Sequence, residues 1–188
     1  YTMLYPDYDD PDFNIKIAKK KEFNEHQHSS KIIKSFKDIE EYSNQLCNST
    51  FELATHQMFV RNFLSFQSPY NSLLLYHGLG TGKTCSAISI AEEMRYYNKQ
   101  INSKSRIIIV ASPNVQENFR LQLFNDNNLR QEKGIWNIIG CTGDRLIKEV
   151  NQTKNQYITR ERITKKINKI IQRSYNFMGY TKFANIIK

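Results

Sequence analysis

Residues 73–94 read LLLYHGLGTGKTCSAISIAEEM: an apolar run, a glycine-rich turn closing on Gly-Lys-Thr, and a stretch with helical spacing. That is the strand, loop and helix order in which a phosphate-binding loop works. Backbone N–H groups that curl around the phosphates of a nucleotide need residues without a Cβ, here Gly78, Gly80 and Gly82. The cradle is expected to run from His77 through Gly78, Leu79, Gly80, Thr81 and Gly82 to Lys83, Thr84 and Cys85. Lys83 and Thr84 are the expected catalytic pair: an ammonium between the outer phosphates, and a hydroxyl that holds magnesium at a helix N-terminus. The spacing departs from G-x-x-x-x-G-K-[ST] at one place. The first glycine falls on His77, so Gly78 must supply the turn, and His77 reads as a loop residue rather than a ligand.

Working outward, the apolar run predicts a strand over Ser72 to Tyr76, and the helix after the loop is expected from Thr84 to Tyr97 with Ile88, Ala91 and Met94 on one side. RIIIVA at Arg106 to Ala111 is a short β-branched run of the kind buried on both faces of a sheet. Ser112-Pro113-Asn114 breaks it and starts a helix through Phe119, Leu121 and Phe124. A third strand is expected at Trp136 to Ile139, helices at Asp144 to Val150 and Thr159 to Ser174, and a last strand at Phe177 to Tyr180 before a helix at Lys182 to Ile187 capped by Thr181. Upstream, Ile32, Ile33, Phe36, Ile39, Tyr42 and Leu46 recur at helical spacing after Ser29 and Ser30, and Phe51 to Phe63 suggests a second helix. Residues 1–30, with Pro6, Pro11 and four aspartates, read as an extended arm whose aromatics can pack on a neighbouring surface. Strands alternating with helices predict an α/β fold, a RecA-like parallel sheet flanked by helices over 31–188.

The chain has 188 residues, enough for one domain with a core, and carries a formal charge of +9. From Asn151 to Lys188 nine basic residues stand against the single acid Glu161. The helix between Arg160 and Arg173 is therefore expected to face a polyanion. Mean hydropathy is −0.62. No apolar run reaches membrane-spanning length, so a soluble intracellular protein is expected. Cys47, Cys85 and Cys141 are widely spaced with no metal-ligand pairing, and free thiols in a reducing compartment are the expectation.

The run HQMFVRNFLSFQSPYNSLLLYHGLGTGKTCSAISIAEEM resembles the entry to superfamily 2 helicases. More narrowly it is similar to the helicase-like nucleoside triphosphatases of nucleocytoplasmic large DNA viruses, related to the poxvirus early transcription factor small subunit and nucleoside triphosphatase I. YPDYDDPDFNIKIAKKKEF, WNIIGCTGD and YNFMGYTKFANII also look like that group, so the resemblance covers nearly the whole chain. It implies ATP and Mg2+ as cofactors, with Gln57 reading the adenine edge, since a carboxamide can donate and accept together. A surface helix glutamine explains Gln57 equally simply. Ser112, Pro113 and Asn114 sit where such proteins carry motif Ia, and with Thr142 and Gly143 are the implied nucleic-acid contacts. An ordinary helix start and a turn with a helix cap account for the same residues.

The resemblance further implies DNA or RNA as partner, viral RNA polymerase or virion components as associates, no membrane, and residence in the host cytoplasm or the virion. The acids after Ala111 are Glu117, Asp126, Glu132, Asp144, Glu149 and Glu161, and none follows a strand as an Asp-Glu pair. The DExH acid that holds magnesium is thus expected beyond Lys188, and the chain is expected to be the N-terminal part of a longer ATP-hydrolysing helicase, nearly inactive by itself. A phosphate-loop kinase or other nucleoside triphosphatase without nucleic acid, and a non-enzymatic module docking through its aromatic arm, are the alternatives.

Overall fold

The computed structural model describes residues 4–25, 35–48, 53–152 and 158–188. Two compact units divide between Leu74 and Leu75.

The first unit contains α1 (Phe13–Ala18), α2 (Lys21–Asn24), α3 (Phe36–Asn48) and α4 (Thr55–Phe63). Its core is aromatic. Ile17, Phe23, Phe63 and Tyr70 are buried together, with Tyr5, Phe13 and Phe59 against them. Phe63 and Tyr70 stack at 4.5 Å between centroids, and the Tyr70 hydroxyl donates to the Pro6 carbonyl at 2.7 Å. The described part of the expected arm is therefore not extended. Asp10 and Asp12 precede a helical turn, and Lys16 reaches back to Asp10 at 2.6 Å, so the acidic stretch starts a helix. Packing of its aromatics, which the sequence allowed, occurs within the unit. The expected helix over 32–46 is present only from Phe36, and Ile32, Ile33, Ser29 and Ser30 lie outside the described residues. Phe36 and Ile39 are exposed rather than in a core.

The second unit runs α5 (Lys83–Gln100), β1 (Ile107–Val110), α6 (Pro113–Leu123), β2 (Leu129–Glu132), β3 (Ile135–Ile138), α7 (Arg145–Val150), α8 (Arg160–Ser174), β4 (Tyr175–Met178) and α9 (Tyr180–Ile187). β1 and β4 are parallel, with Ile107 opposite Tyr175 and Val110 opposite Met178. Their connection passes through α6, α7 and α8, as parallel pairing requires a long crossover. Ile88 from α5, Phe119 and Leu123 from α6, Leu146 from α7, and Ile163 and Ile167 from α8 are buried around this pair. α8 is placed by periodicity: its isoleucines at 163, 167 and 171 share the buried side, and Thr159 caps it by accepting from the Arg162 N–H.

Several expectations are corrected here. The unit is α/β but mostly helical, with a two-stranded parallel sheet. Ser72 to Tyr76 is not a strand, and Leu73, Leu74 and Tyr76 are exposed. A strand persists where a neighbour takes its ladder hydrogen bonds, and no described strand pairs with this run. The strand expected at Trp136 to Ile139 is β3, and it pairs antiparallel with the polar strand β2 through a turn at Lys133 and Gly134, both at positive φ. The last strand begins at Tyr175 rather than Phe177, and Gly179, not Thr181, occupies the N-cap of α9. Leu121, expected inward, is exposed. RIIIVA, expected to be buried on both faces, is only half-buried as β1, with Ile108 exposed, because β4 is the only described strand paired with it.

Cys85 and Cys141 are joined in a disulfide, with Cα atoms 5.1 Å apart, so these two are not free thiols. The bridge ties the first turn of α5 to the turn after β3.

Candidate functional site

A glycine-rich loop can present its N–H groups only if its backbone enters the left-handed region, and Gly80 at φ 79° and Gly82 at φ 77° do so. Gly82 is the N-cap of α5, so Lys83 is the first helical residue and Thr84 lies half-buried in the first turn. Gly78 has ordinary φ, and a Cβ there would meet only the Thr81 methyl at 4.0 Å. The Lys83 ammonium donates to the carbonyls of His77 at 2.7 Å and Gly78 at 2.8 Å, and the Thr81 hydroxyl donates to Gly78 at 3.0 Å. The lysine thus closes the loop onto its own beginning. Leu79 is fully exposed at the crest, while His77 is half-buried.

The position of this loop follows from chain direction. α5 packs on β1 and joins it through six residues, 101–106, so it runs back along the strand and its N-terminus lies towards the strand's carboxyl end. Two residues separate the end of β1 from the start of α6, which puts Ser112, Pro113 and Asn114 at that same end, all exposed. Ser112 makes no side-chain cap bond, and Pro113 opens the helix where its missing N–H costs nothing. Ligands of parallel α/β sheets gather at this edge. The sequence-predicted loop and the Ser112–Asn114 turn are therefore on one side of the unit.

Thr142 and Gly143 differ. Thr142 is buried, and its hydroxyl donates to the Leu123 carbonyl at 3.2 Å, tying the turn to the end of α6. Gly143 sits at φ 51° in a turn, and Asp144 precedes α7 while its Oδ1 accepts from the Ile138 N–H at 3.0 Å. The turn is present, while Asp144 stands at the N-cap of α7 without a side-chain cap bond.

Gln57 belongs to the first unit and is buried, not a surface glutamine. Its Oε1 accepts from the Ala54 N–H at 2.9 Å, satisfying a helix N-terminal donor of α4.

Sequence reasoning missed a buried ionic cluster on α5. Glu92 and Arg95 are 2% and 7% exposed. Arg95 donates from Nε to Glu92 at 2.9 Å, from a second nitrogen to the same carboxylate at 2.8 Å, and to Glu149 of α7 at 2.9 Å. The Tyr175 hydroxyl of β4 donates to Glu92 at 2.6 Å, and Lys99 holds the other oxygen of Glu149 at 2.9 Å. Burial acts to lower the Arg95 pKa, but both carboxylates more than offset this and hold it above its ordinary value. Burial, then the charge and hydrogen bond of Glu92, push the Tyr175 hydroxyl up. Burial would raise Glu149, yet the bonds from Lys99 and Arg95 keep it below the usual carboxylate range. Glu92 follows Ile88 by four residues on the buried side of α5, and that polar intrusion into an apolar stripe was the available signal. The cluster fastens the helix that carries Lys83 to β4 and α7.

Among the described residues no group of His, Cys, Asp and Glu is arranged to hold a metal ion. A magnesium ion here would take Thr84 as its protein ligand and phosphate and water oxygens for the rest, a mode this ion accepts. No described helix is long and apolar enough to cross a membrane.

A glycine loop opening a helix at the carboxyl edge of a parallel strand pair defines a class of phosphate-facing α/β sites. The chain's likeness to known proteins is more particular. Two proteins of Acanthamoeba polyphaga mimivirus, L377 and R563, share the name "Putative ATP-dependent RNA helicase". L377 is 28% identical over 183 residues, 95% of this chain, and R563 is 29% identical over 191 aligned positions, 99% of this chain. The chain spans 14% of L377 and 28% of R563. The early transcription factor large subunit homolog of African swine fever virus is 29% identical over 133 residues, covering 57% of this chain and 12% of that protein. That relative is a large-subunit homologue, where the sequence resemblance pointed to a small subunit. No family model matches the chain, and no solved structure does. Most of the chain is thus similar to part of several proteins named as helicases of large DNA viruses.

Proposed function

We propose that this chain is the nucleotide-phosphate portion of an ATP-dependent nucleic-acid helicase or translocase of a large DNA virus, acting in transcription. One observation carries the reading: two left-handed glycines lead directly into α5 with Lys83 at its first position, in a chain similar over most of its length to proteins named as ATP-dependent helicases. Lys83 would exchange its loop carbonyls for the outer phosphates of ATP, and Thr84 would hold Mg2+. Ser112 to Asn114 with the basic face of α8 would meet the nucleic-acid backbone. The described carboxylates of α5 and α7 are engaged, Glu92 and Glu149 by Arg95 and Glu93 by Arg145 at 3.3 Å. Hydrolysis would accordingly draw its acid and water-orienting groups from elsewhere in a longer protein.

Titration calorimetry of the 188-residue chain with MgATP tests the proposal. Lys83→Ala is expected to weaken binding at least about tenfold, the equivalent of 1.4 kcal/mol or more. Unchanged affinity would remove the site assignment.

A further inference from the structure

We propose that the nucleic-acid-backbone contact of α8 continues, on the opposite side of the unit from the glycine loop, into a basic cavity at the end of the helix's cationic stripe. The inference rests on the nucleic-acid part of the proposed function and extends its α8 contact to Lys104, Arg106 and the cavity they line. The cavity has a volume of about 520 Å³ and lies where α5 and α8 end and β1 begins; Lys104, Arg106 and Arg173 line it together with Ile107, Ile170 and the Arg95–Glu149–Lys99 ion-pair group. Since α5 has 18 residues, this end lies about 27 Å along the helix from Lys83. The two sites are separate.

The cations there divide into two sets. Lys99 is neutralised by Glu149. Lys104, Arg106 and Arg173 are exposed and have no ion-pair partner among the described residues. Helix C-termini attract cations, which accounts for Arg173 in the last turn of α8. It does not account for Lys104 and Arg106, which precede β1 and converge on the same hollow. Along α8, Arg162, Lys166, Lys169 and Arg173 are all exposed, and at helical pitch they fall within an arc of about 60°. The stripe is about 16 Å long at 1.5 Å per residue, and its last member is a wall of the cavity.

A linear array of cations running into a hollow rimmed by two more, Lys104 and Arg106, fits a chain of phosphates better than one small anion. It also fits nucleic acid better than an acidic peptide. Protein partners anchor through aromatic and apolar side chains, whereas the exposed cations here, Lys104, Arg106 and Arg173, stand beside amide and hydroxyl groups such as Asn98 and Ser105, with no aromatic side chain in the wall. Those are the groups that position phosphate and sugar.

The test is fluorescence anisotropy with labelled 20-residue oligouridine and oligothymidine, binding to the 188-residue chain between 50 and 200 mM KCl. The triple variant Lys104→Glu, Arg106→Glu, Arg173→Glu is expected to bind at least about tenfold more weakly at the lower salt. Loss of three phosphate contacts should also make the log–log salt slope shallower by about 2. A glutamine triple variant, checked by circular dichroism, should show the same slope change without reversed charge. MgATP binding should be unchanged in both. Equal losses for the two oligonucleotides place recognition on the backbone; a loss confined to one places it on the sugar. Wild-type affinity and slope in both variants overturn this inference and leave the proposed function standing. Failure of the wild-type chain to bind either oligonucleotide while it binds MgATP overturns the inference together with the nucleic-acid half of that function. Stronger binding of polyglutamate than of either oligonucleotide would also overturn it.

Discussion

Arg95→Met is the sharpest test of what holds α5 in place. The substitution keeps most of the side-chain volume and removes a guanidinium that makes two hydrogen bonds to Glu92 and one to Glu149. Glu149 keeps Lys99 and partial access to water, so its loss is modest. Glu92 is 2% exposed and would keep only the Tyr175 hydroxyl, leaving a buried carboxylate without a counter-charge. Removing one partner of a buried pair costs about 3–5 kcal/mol. Tyr175→Phe removes one hydrogen bond to the same carboxylate, a change of about 1.5–3 kcal/mol. Replacing both Glu92 and Arg95 by methionine should recover most of the Arg95→Met loss, since an apolar pair of similar volume is often neutral. Urea unfolding at pH 7, followed through Trp136, measures all three. At a slope of about 2 kcal/mol per molar, Arg95→Met should lower the midpoint by about 1.5–2.5 M. An Arg95→Met loss smaller than that of Tyr175→Phe, or a double variant less stable than Arg95→Met, would refute the reasoning.

The loop and the cluster yield two further expectations. Gly80→Ala and Gly82→Ala force a Cβ into the left-handed region and should each destabilise by about 1 kcal/mol. Gly78→Ala, with ordinary φ and only van der Waals contact, should be near neutral for folding in thermal melts. Equal penalties at all three would show that the loop backbone is not as described. Glu149 is held below the usual carboxylate range, so its contribution is fully present above its unfolded value of 4.5 and fades as pH falls through the lower folded value. Unfolding curves between pH 6 and pH 3 should show Glu149→Gln less acid-sensitive than the wild type, and parallel pH profiles would contradict this.

The features legible in the sequence were those with local causes. RIIIVA was legible as a strand, although β1 is half-buried with Ile108 exposed rather than covered on both faces, and the isoleucines of α8 marked its inner side four residues apart. The glycine loop and its helix were legible because left-handed turns and helix starts depend on a few adjacent residues. Features set by distant partners were not. Leu73 and Leu74 look like core, but the run has no described strand beside it. β4 begins two residues early because its limits follow pairing with β1 across the crossover. β2, LRQE, has no apolar pattern and exists through its hairpin partner. Cys85 and Cys141 are 56 residues apart, and spacing alone could not pair them. Gln57 was singled out by resemblance, while its bond to Ala54 depends on the fold of α4.

The bond from Lys83 to the carbonyls of His77 and Gly78 bears on kinetics as well as geometry. An ammonium has three donors, and two are already spoken for by the loop. Under the proposed function an arriving phosphate would compete with an internal acceptor pair, and a departing one would be replaced by it. The loop acts as its own surrogate ligand. Its ordering entropy would then be met at folding rather than at capture, and closure of the ring on release would favour rapid exchange of occupants over tight retention.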